Sequence, residues 1–387
     1  MSGRVDPRAF GLREDVVFLN HGSFGACPLV MLDEYRRWQD RLEEQPVLFH
    51  RELPGLMRTA REALAEYVHC HAQDIVYVQN ATWGVNVVAH ALDLKPGDEI
   101  LTNDHEYGAC DRAWQVHQGQ RGVNLVRVAL EMPVPSHAKI VERYRQRITA
   151  RTRVLYVSHV TSPTAVRMPI EELCALAAEH GLISVVDGAH APGHLPLDLS
   201  TLGADVYTAN LHKWMCTPKG SAFLYVRRDL QPSMLPLVVS WGWESEQPGD
   251  SPFIDQHEYV GTRDPAAYLT VPFALRWMQE LGWADVQRTA RELRRYGLDL
   301  LCSIPGVREM RTGAEDADLM MGAVLLPPDT NIDQLKTWLY DEHRIEVVVH
   351  RWLNTPILRF SAHIHTKKAH LDVLGETLRG YLATYSS

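Results

Sequence analysis

Two apolar runs, each closed by a charged group, constrain this chain more than any other stretch. Val185-Val186 leads into Asp187-Gly188-Ala189-His190, and Ala209-Asn210-Leu211 leads into His212-Lys213-Trp214. Asp187 and Lys213 are 213 − 187 = 26 residues apart, and Gly188, Pro192, Gly193, Pro196 and Gly203 between them are turn formers. An apolar run that stops on a polar residue reads as a buried strand with a functional group at its carboxyl end.

The surrounding sequence repeats that pattern. Ile75–Val78 reads as a strand, then Gln79-Asn80-Ala81-Thr82 leads to a helix from about Trp83 to Ala91. A strand, a polar turn and a helix start form a generic anion site, because the first helical N–H groups are free. Thr82 taken alone is equally an N-cap. Further strands are expected at 99–102, 123–128, 154–160, 182–186 and 221–226, with helices between them, including Ile170–His180. This alternation predicts an α/β fold with a mostly parallel sheet. Thr82, Tyr107, Thr161, Asp187 and His190 then fall at strand ends, where such sheets bind ligands.

Helices are expected at 29–44 and 56–67, interrupted by Pro46 and Pro54. After about Leu230 the chain becomes irregular, with Trp241 and Trp243 among several prolines. A long helical stretch with few breaks is expected over 265–301, then a smaller α+β unit. The expected division is a large domain over 25–265 and a smaller one from 1–24 plus 266–387.

Composition removes several classes of function. A length of 387 residues, 45% hydrophobic and 22% charged, suits an ordinary globular protein with a large core. A net charge of −9 is wrong for neutralising nucleic-acid phosphates or anionic membranes. No apolar run reaches the roughly 20 residues of a membrane helix, and the first residues carry no apolar signal region, so a cytoplasmic location is expected. The six cysteines are scattered, and the nineteen histidines do not fall at metal-ligand spacing. Neither a disulfide framework nor a metal site is expected.

Three readings of Asp187 and Lys213 compete. They are unrelated surface groups, or Asp187 is a metal or phosphate-transfer acid, or the pair holds pyridoxal phosphate. A lysine in an apolar setting has a lowered pKa and becomes an imine-forming amine. A carboxylate facing a pyridine nitrogen keeps it protonated, so the ring accepts electrons from Cα. The helix start near Thr82 offers a place for a phosphate. The metal reading lacks partner ligands, and no GxxxxGK[ST] loop is present. The third reading is favoured.

The segment VVDGAHAPGHLPLDLSTLGADVYTANLHKWMCTPKG strongly resembles class V aminotransferase-fold enzymes, which are pyridoxal-phosphate proteins of fold type I. FLNHGSFG, FHRELPGLM, DHEYGA, SHVTSPTA, EYVGTRD and LRFSAHIHT resemble the isopenicillin N epimerase-like branch. The resemblance implies a seven-stranded-type sheet in a large domain plus a smaller C-terminal α+β domain. It implies that Lys213 binds the cofactor covalently and moves the Cα proton, that Asp187 pairs with the pyridinium nitrogen, and that His190 meets the phenolic oxygen with help from Thr161. Tyr107 stacks on the ring, with His105 as the alternate. Ala81, Thr82, Asn210 and His212 hold the phosphate, and Thr262 reaches the phosphate of a neighbouring subunit, which implies a homodimer with shared sites. Arg359 grips the substrate carboxylate, and Asn20 and His21 line the substrate entrance. Arg51 and Arg263 are as readily structural as substrate-binding. Two positions depart from the branch: Ala165 stands where glycine is usual, and His365 where tyrosine is common, which bears on the substrate mouth.

The expected activity is abstraction of the Cα proton from an amino acid or an amino-acid-bearing metabolite, epimerase-like. β-Elimination as a C–S lyase is the alternative and transamination a third. A persulfide-forming cysteine desulfurase is disfavoured, because such enzymes of this class use a cysteine late in the chain and none follows Cys302.

Overall fold

The computed structural model describes residues 9–310 and 314–385; residues 1–8 of the expected smaller unit lie outside them. The described strands are β1 (Val17–Phe18), β2 (Ile75–Val78), β3 (Glu99–Asn103), β4 (Asn124–Val128), β5 (Thr152–Ser158), β6 (Ile183–Asp187), β7 (Val206–Asn210), β8 (Ala222–Val226), β9 (Arg308–Glu309), β10 (Met321–Leu325), β11 (Ile345–Glu346), β12 (Val348–Trp352) and β13 (Thr355–Ser361). Seven of them form one sheet in the order β2-β8-β7-β6-β5-β3-β4. The neighbours from β7 to β4 are parallel, and β8 runs against both β7 and β2.

The sheet is buried on both faces, which is why its strands are nearly continuous apolar runs. Successive side chains alternate between two cores. Leu155, Val157, Val186 and Tyr207 join one. Val154, Tyr156, Val185 and Val206 join the other. Register then sets polar groups at the shared carboxyl edge: β5–β6 pairing puts Ser158 beside Asp187, and β6–β7 pairing puts Asp187 beside Thr208. The helix Ala81–Ala91 lies so close to β7 that a Cβ on Gly84 would sit 2.1 Å from Thr208 Oγ1.

A second, antiparallel sheet has the order β12-β13-β10-β9. Leu358 and Phe360 point to the helices Trp283–Cys302 and Lys368–Tyr385. Ile357, Ala323 and Trp352 point to the main core. β1 pairs with β11, tying the N-terminal segment to this unit.

The structure departs from the sequence pattern in three places. Pro54 does not interrupt a helix; one helix runs Pro46–Val68, with Pro46 in its first turn and Gln45 accepting from the Leu48 amide at 3.3 Å. Burial of Phe49, Met57, Ala60 and Leu64 along that helix offsets the bond Pro54 cannot make. The stretch 265–301 is three helices, Ala266–Leu269, Val271–Glu280 and Trp283–Cys302. Pro272 opens the second, and Gly282 at φ +65° separates the last two. The apolar run Ile345–Val349 reads in sequence as one strand of the smaller unit, but it holds parts of two, β11 and β12, which pair with different partners. No described helix is long and apolar enough to cross a membrane.

Candidate active site

A cavity of about 620 Å³ opens at the carboxyl edge of the large sheet. Thr82, Tyr107, Asp187, His190, Asn210, His212 and Lys213 all line it. Ala81 lines it too, although its amide donates to Asn210 Oδ1 at 2.9 Å and is therefore taken. The helix cap is Asn80, whose Oδ1 accepts from the Trp83 amide at 2.9 Å. Thr82 sits in the first turn, where amides lack helical partners, and this is the anion-favouring end of the cavity. His212 Nδ1 lies 3.1 Å from the Ser221 carbonyl, which leaves Nε2 for the cavity. Burial and the neighbouring Lys213 push His212 down to about 4.

Lys213 follows β7 and is buried, with Nζ 3.1 Å from His190 Nε2. Burial, reinforced by the charge of Arg359 and opposed by Asp187, pushes its amine down to about 8. A neutral fraction of about a tenth is therefore present at pH 7, far more than an ordinary lysine has, as a nucleophilic amine needs. Asp187 ends β6. Its Oδ1 accepts from the Ala189 amide at 2.9 Å, while Cys110 Sγ and the Tyr156 hydroxyl lie 3.4 and 3.5 Å from Oδ2. Burial raises this carboxyl; the Ala189 amide and then Lys213 pull it back down.

Arg359 comes from β13 of the smaller sheet. Nη1 donates to the Ser162 carbonyl and, at 3.2 Å, to its hydroxyl; Nη2 donates to Ser23 Oγ at 2.9 Å. Its Nε is buried without a partner, and among the described residues no carboxylate pairs with it. Burial pushes the guanidinium down to about 10. An unpaired buried cation is costly, and a bound anion would relieve that cost. Pyridoxal phosphate fits this chain's groups: an amine with a histidine beside it, a carboxylate for the ring nitrogen, and an anion-favouring helix start share one cavity.

Several expected residues lie elsewhere. Thr161 does not line the cavity, although its neighbours Val160 and Ser162 do; it lies past the end of β5, at the start of a turn. Its hydroxyl is 2.6 Å from Thr164 Oγ1 and accepts from the Val166 amide at 3.0 Å, so it holds its own turn together. His21 is fully buried behind Lys213, with Nε2 2.9 Å from the Lys213 carbonyl, rather than at the substrate entrance. Asn20 donates to Glu346 at 2.8 Å and lines an adjacent cleft. Ser23 and Phe24 of the same segment reach the cavity instead. His105 is buried against Trp352, so Tyr107 is the aromatic group of that loop at the cavity. His365 is buried at 3.1 Å from His21 and takes no part in the mouth. Thr262 is exposed and lines a neighbouring cavity of about 370 Å³ with Arg61, Trp241 and Arg263. Ala165 adopts φ +52°, the left-handed region in which glycine rests without cost.

His21, His363 and His365 bring ring nitrogens within 4.8 Å of one another, a grouping sequence spacing did not reveal. His21 and His363 are stacked, with centroids 3.9 Å apart and planes 7° apart, so their lone pairs run side by side rather than toward one centre. Ser23, Ser162, Cys110 and Trp214 are site residues the sequence reading missed. Ser162 is the next residue after Thr161 in the same turn; the other three depend on tertiary contacts.

A model of the family described as Aminotransferase class-V matches residues 29–368. The isopenicillin N epimerase of Streptomyces clavuligerus is 33% identical over 374 residues, 94% of this chain and 94% of its own. A putative L-cysteine desulfhydrase of Oryza sativa subsp. japonica is 29% identical over 392 residues, 95% of this chain and 78% of its own. Among solved structures, a C-DES mutant with glycine covalently linked to its PLP cofactor superposes with a TM-score of 0.85 at 24% identity, covering 97% of this chain and 99% of that one. The chain therefore belongs to the class V aminotransferase family, on its isopenicillin N epimerase-like branch, and is a fold type I enzyme that works with pyridoxal phosphate.

Proposed function

We propose that this enzyme removes the Cα proton of an amino acid or amino-acid-bearing metabolite in an epimerase-like reaction. The observation that carries the reading is Arg359, a buried guanidinium without a carboxylate partner among the described residues, whose charge acts on Lys213. Pyridoxal phosphate, when bound, supplies an electron-accepting ring that acidifies Cα–H. Arg359 binds the substrate carboxylate in place of the missing partner. Lys213, with its amine pushed down to about 8, accepts the proton at Nζ. Asp187 offers a buried acceptor that holds a proton on the ring nitrogen. His190 donates from the Lys213 side.

β-Elimination with C–S cleavage is the second reading, favoured by the similarity to the rice desulfhydrase. Cys302, the last cysteine in the sequence, ends a helix outside the cavity lining, which speaks against a persulfide-forming desulfurase. We also propose a homodimer with shared sites. Exposed Leu235, Leu237, Val238, Val239 and Trp241, the last 83% exposed, form an apolar stretch that a second copy would cover, and Thr262 lies beside Trp241.

Incubation of the holoenzyme with a panel of amino acids in deuterated water tests the reaction. Deuterium at Cα with inverted configuration supports epimerisation. Release of pyruvate and ammonia transfers the assignment to elimination, and formation of the aminated cofactor transfers it to transamination. Absence of Cα exchange throughout the panel counts against both proton-abstraction readings for those substrates.

A further inference from the structure

Buried histidines from three distant parts of the chain surround the Lys213–Trp214 peptide. His21 comes from the N-terminal segment, His190 and His194 from the loop after β6, and His363 and His365 from the segment after β13. Their hydrogen bonds have only one consistent direction. Carbonyl oxygens only accept, so His21 Nε2, 2.9 Å from the Lys213 carbonyl, carries a proton. His363 Nε2, 3.4 Å from the Trp214 carbonyl, does so for the same reason. Neutral His21 then has a lone pair on Nδ1, which receives the Ala26 amide at 3.3 Å and His365 Nε2 at 3.1 Å. His194 Nδ1 donates to the His190 carbonyl at 2.8 Å, and its Nε2 accepts from the Met320 amide at 2.6 Å. These bonds fix the backbone on both sides of His190 and Lys213.

The indole closes the set. Trp214 Nε1 can only donate, and it lies 3.2 Å from His190 Nδ1. His190 Nδ1 must therefore bear the lone pair, and with the Lys213 amine neutral the proton of the ring sits on Nε2, which donates to Lys213 Nζ at 3.1 Å. A second proton could enter only at Nδ1, where it would face the indole N–H. We infer that Trp214 is a positioning residue that locks His190 as the Nε2–H tautomer, so that a hydrogen-bond donor faces the Lys213 side of the cavity. The tautomer follows from the geometry with the amine neutral; its consequence for turnover rests on the proton-abstraction reading above. The lock also gives the stacked histidines a role other than metal ligation: His21 and His363 hold the two carbonyls that set where Lys213 and Trp214 point.

The test is histidine nitrogen NMR on the full-length protein, labelled with [15N]histidine, in cofactor-loaded and cofactor-free form. His190→Gln assigns the signal. The expected spectrum of the cofactor-loaded protein has His190 protonated on Nε2 and bare on Nδ1, unchanged from about pH 6 to about pH 9. A proton on Nδ1, or a doubly protonated ring in that range, overturns the inference. Trp214→Phe keeps a ring in place and removes the donor. It should give a mixture of His190 tautomers, a shifted pH midpoint of the visible cofactor band, and kcat about tenfold lower at nearly constant KM. An unchanged tautomer in Trp214→Phe overturns the lock; if that variant does not fold, the parent spectrum decides alone. A failure of the reaction assignment would leave the NMR result standing, so the two outcomes are separable.

Discussion

The back wall of the cavity and its mouth are built in opposite ways. The back wall is made of strand ends and the peptide after them: Asp187, His190 and Lys213 are each buried, and each has a hydrogen-bond partner. The mouth is made of loop residues from far-apart segments, with Phe24 72% and Tyr107 45% exposed. Arg359, from a different sheet, does not itself line the cavity but bonds Ser23 and Ser162, which do. On the proposed function, the wall would hold the cofactor and the mouth would choose substrate and reaction. The similarity to both an epimerase and a desulfhydrase accords with a fold that hosts more than one reaction.

Breaking the wall should have the largest effect. Lys213→Ala is expected to abolish the visible band of lysine-bound cofactor and to lower turnover by about 10⁴-fold or more, measured by absorbance and Cα-deuterium exchange. A variant that keeps that band would mean another group holds the cofactor. The wall is also expected to be acid-labile. Burial pushes His159, His194 and His363 each down to about 3. In the unfolded chain each binds a proton below about 6.5. Between those values the unfolded state holds more protons. The contribution is therefore fully present above about pH 6.5 and is lost as pH falls, by roughly 1.4 kcal/mol per pH unit for each histidine. Urea unfolding of the cofactor-free protein from about pH 7 to about pH 5 should show that steep decline; a flat profile would mean that these rings are not held neutral.

Arg359 tests the boundary between wall and mouth, because its two predicted effects have opposite signs. Arg359→Met should lower kcat/KM roughly 100-fold through lost carboxylate binding. The same change should raise the stability of the substrate-free protein by about 1 kcal/mol or more, since it removes a buried charge that lacks a counter-ion. Steady-state kinetics and thermal melting of one variant decide both. A loss of activity with a loss of stability would make Arg359 structural.

The wall was legible in the sequence for the reason that it is strong. Strands β5, β6 and β7 are apolar runs whose period-two burial is fixed by cores on both faces, so their ends could be placed before any contact was known. Asp187 and Lys213 followed from that placement, whereas Asn210 came from the family resemblance. His21 and His365 were misplaced because both come from segments outside the large sheet. Their position depends on the pairing of β1 with β11 and on the turn after β13, which no local pattern encodes. Thr161 was misplaced by a single residue: polar residues past a strand end look alike in sequence, and only the geometry of the turn separates Thr161 from Ser162. Trp214 was hidden because a tryptophan beside an apolar run reads as core, which it is, while its indole N–H does separate work.

The smallest expected effect concerns the turn that joins wall to mouth. Ala165 is held at φ +52° by the Thr161 carbonyl, which accepts its amide at 2.9 Å, and by the Thr161–Thr164 hydroxyl contact. A left-handed alanine costs about 1 kcal/mol relative to glycine in the folded state. Glycine gives back part of that gain through the freedom it adds to the unfolded chain. Ala165→Gly should therefore change stability by between zero and about 1 kcal/mol in the stabilising direction, with kcat unchanged, since Ala165 does not line the cavity. A melting temperature that falls instead would show that the Cβ of this buried alanine packs against the main core strongly enough to outweigh its backbone strain. In that case the turn would be held by packing as the wall is, and the mouth would begin only at Ser162.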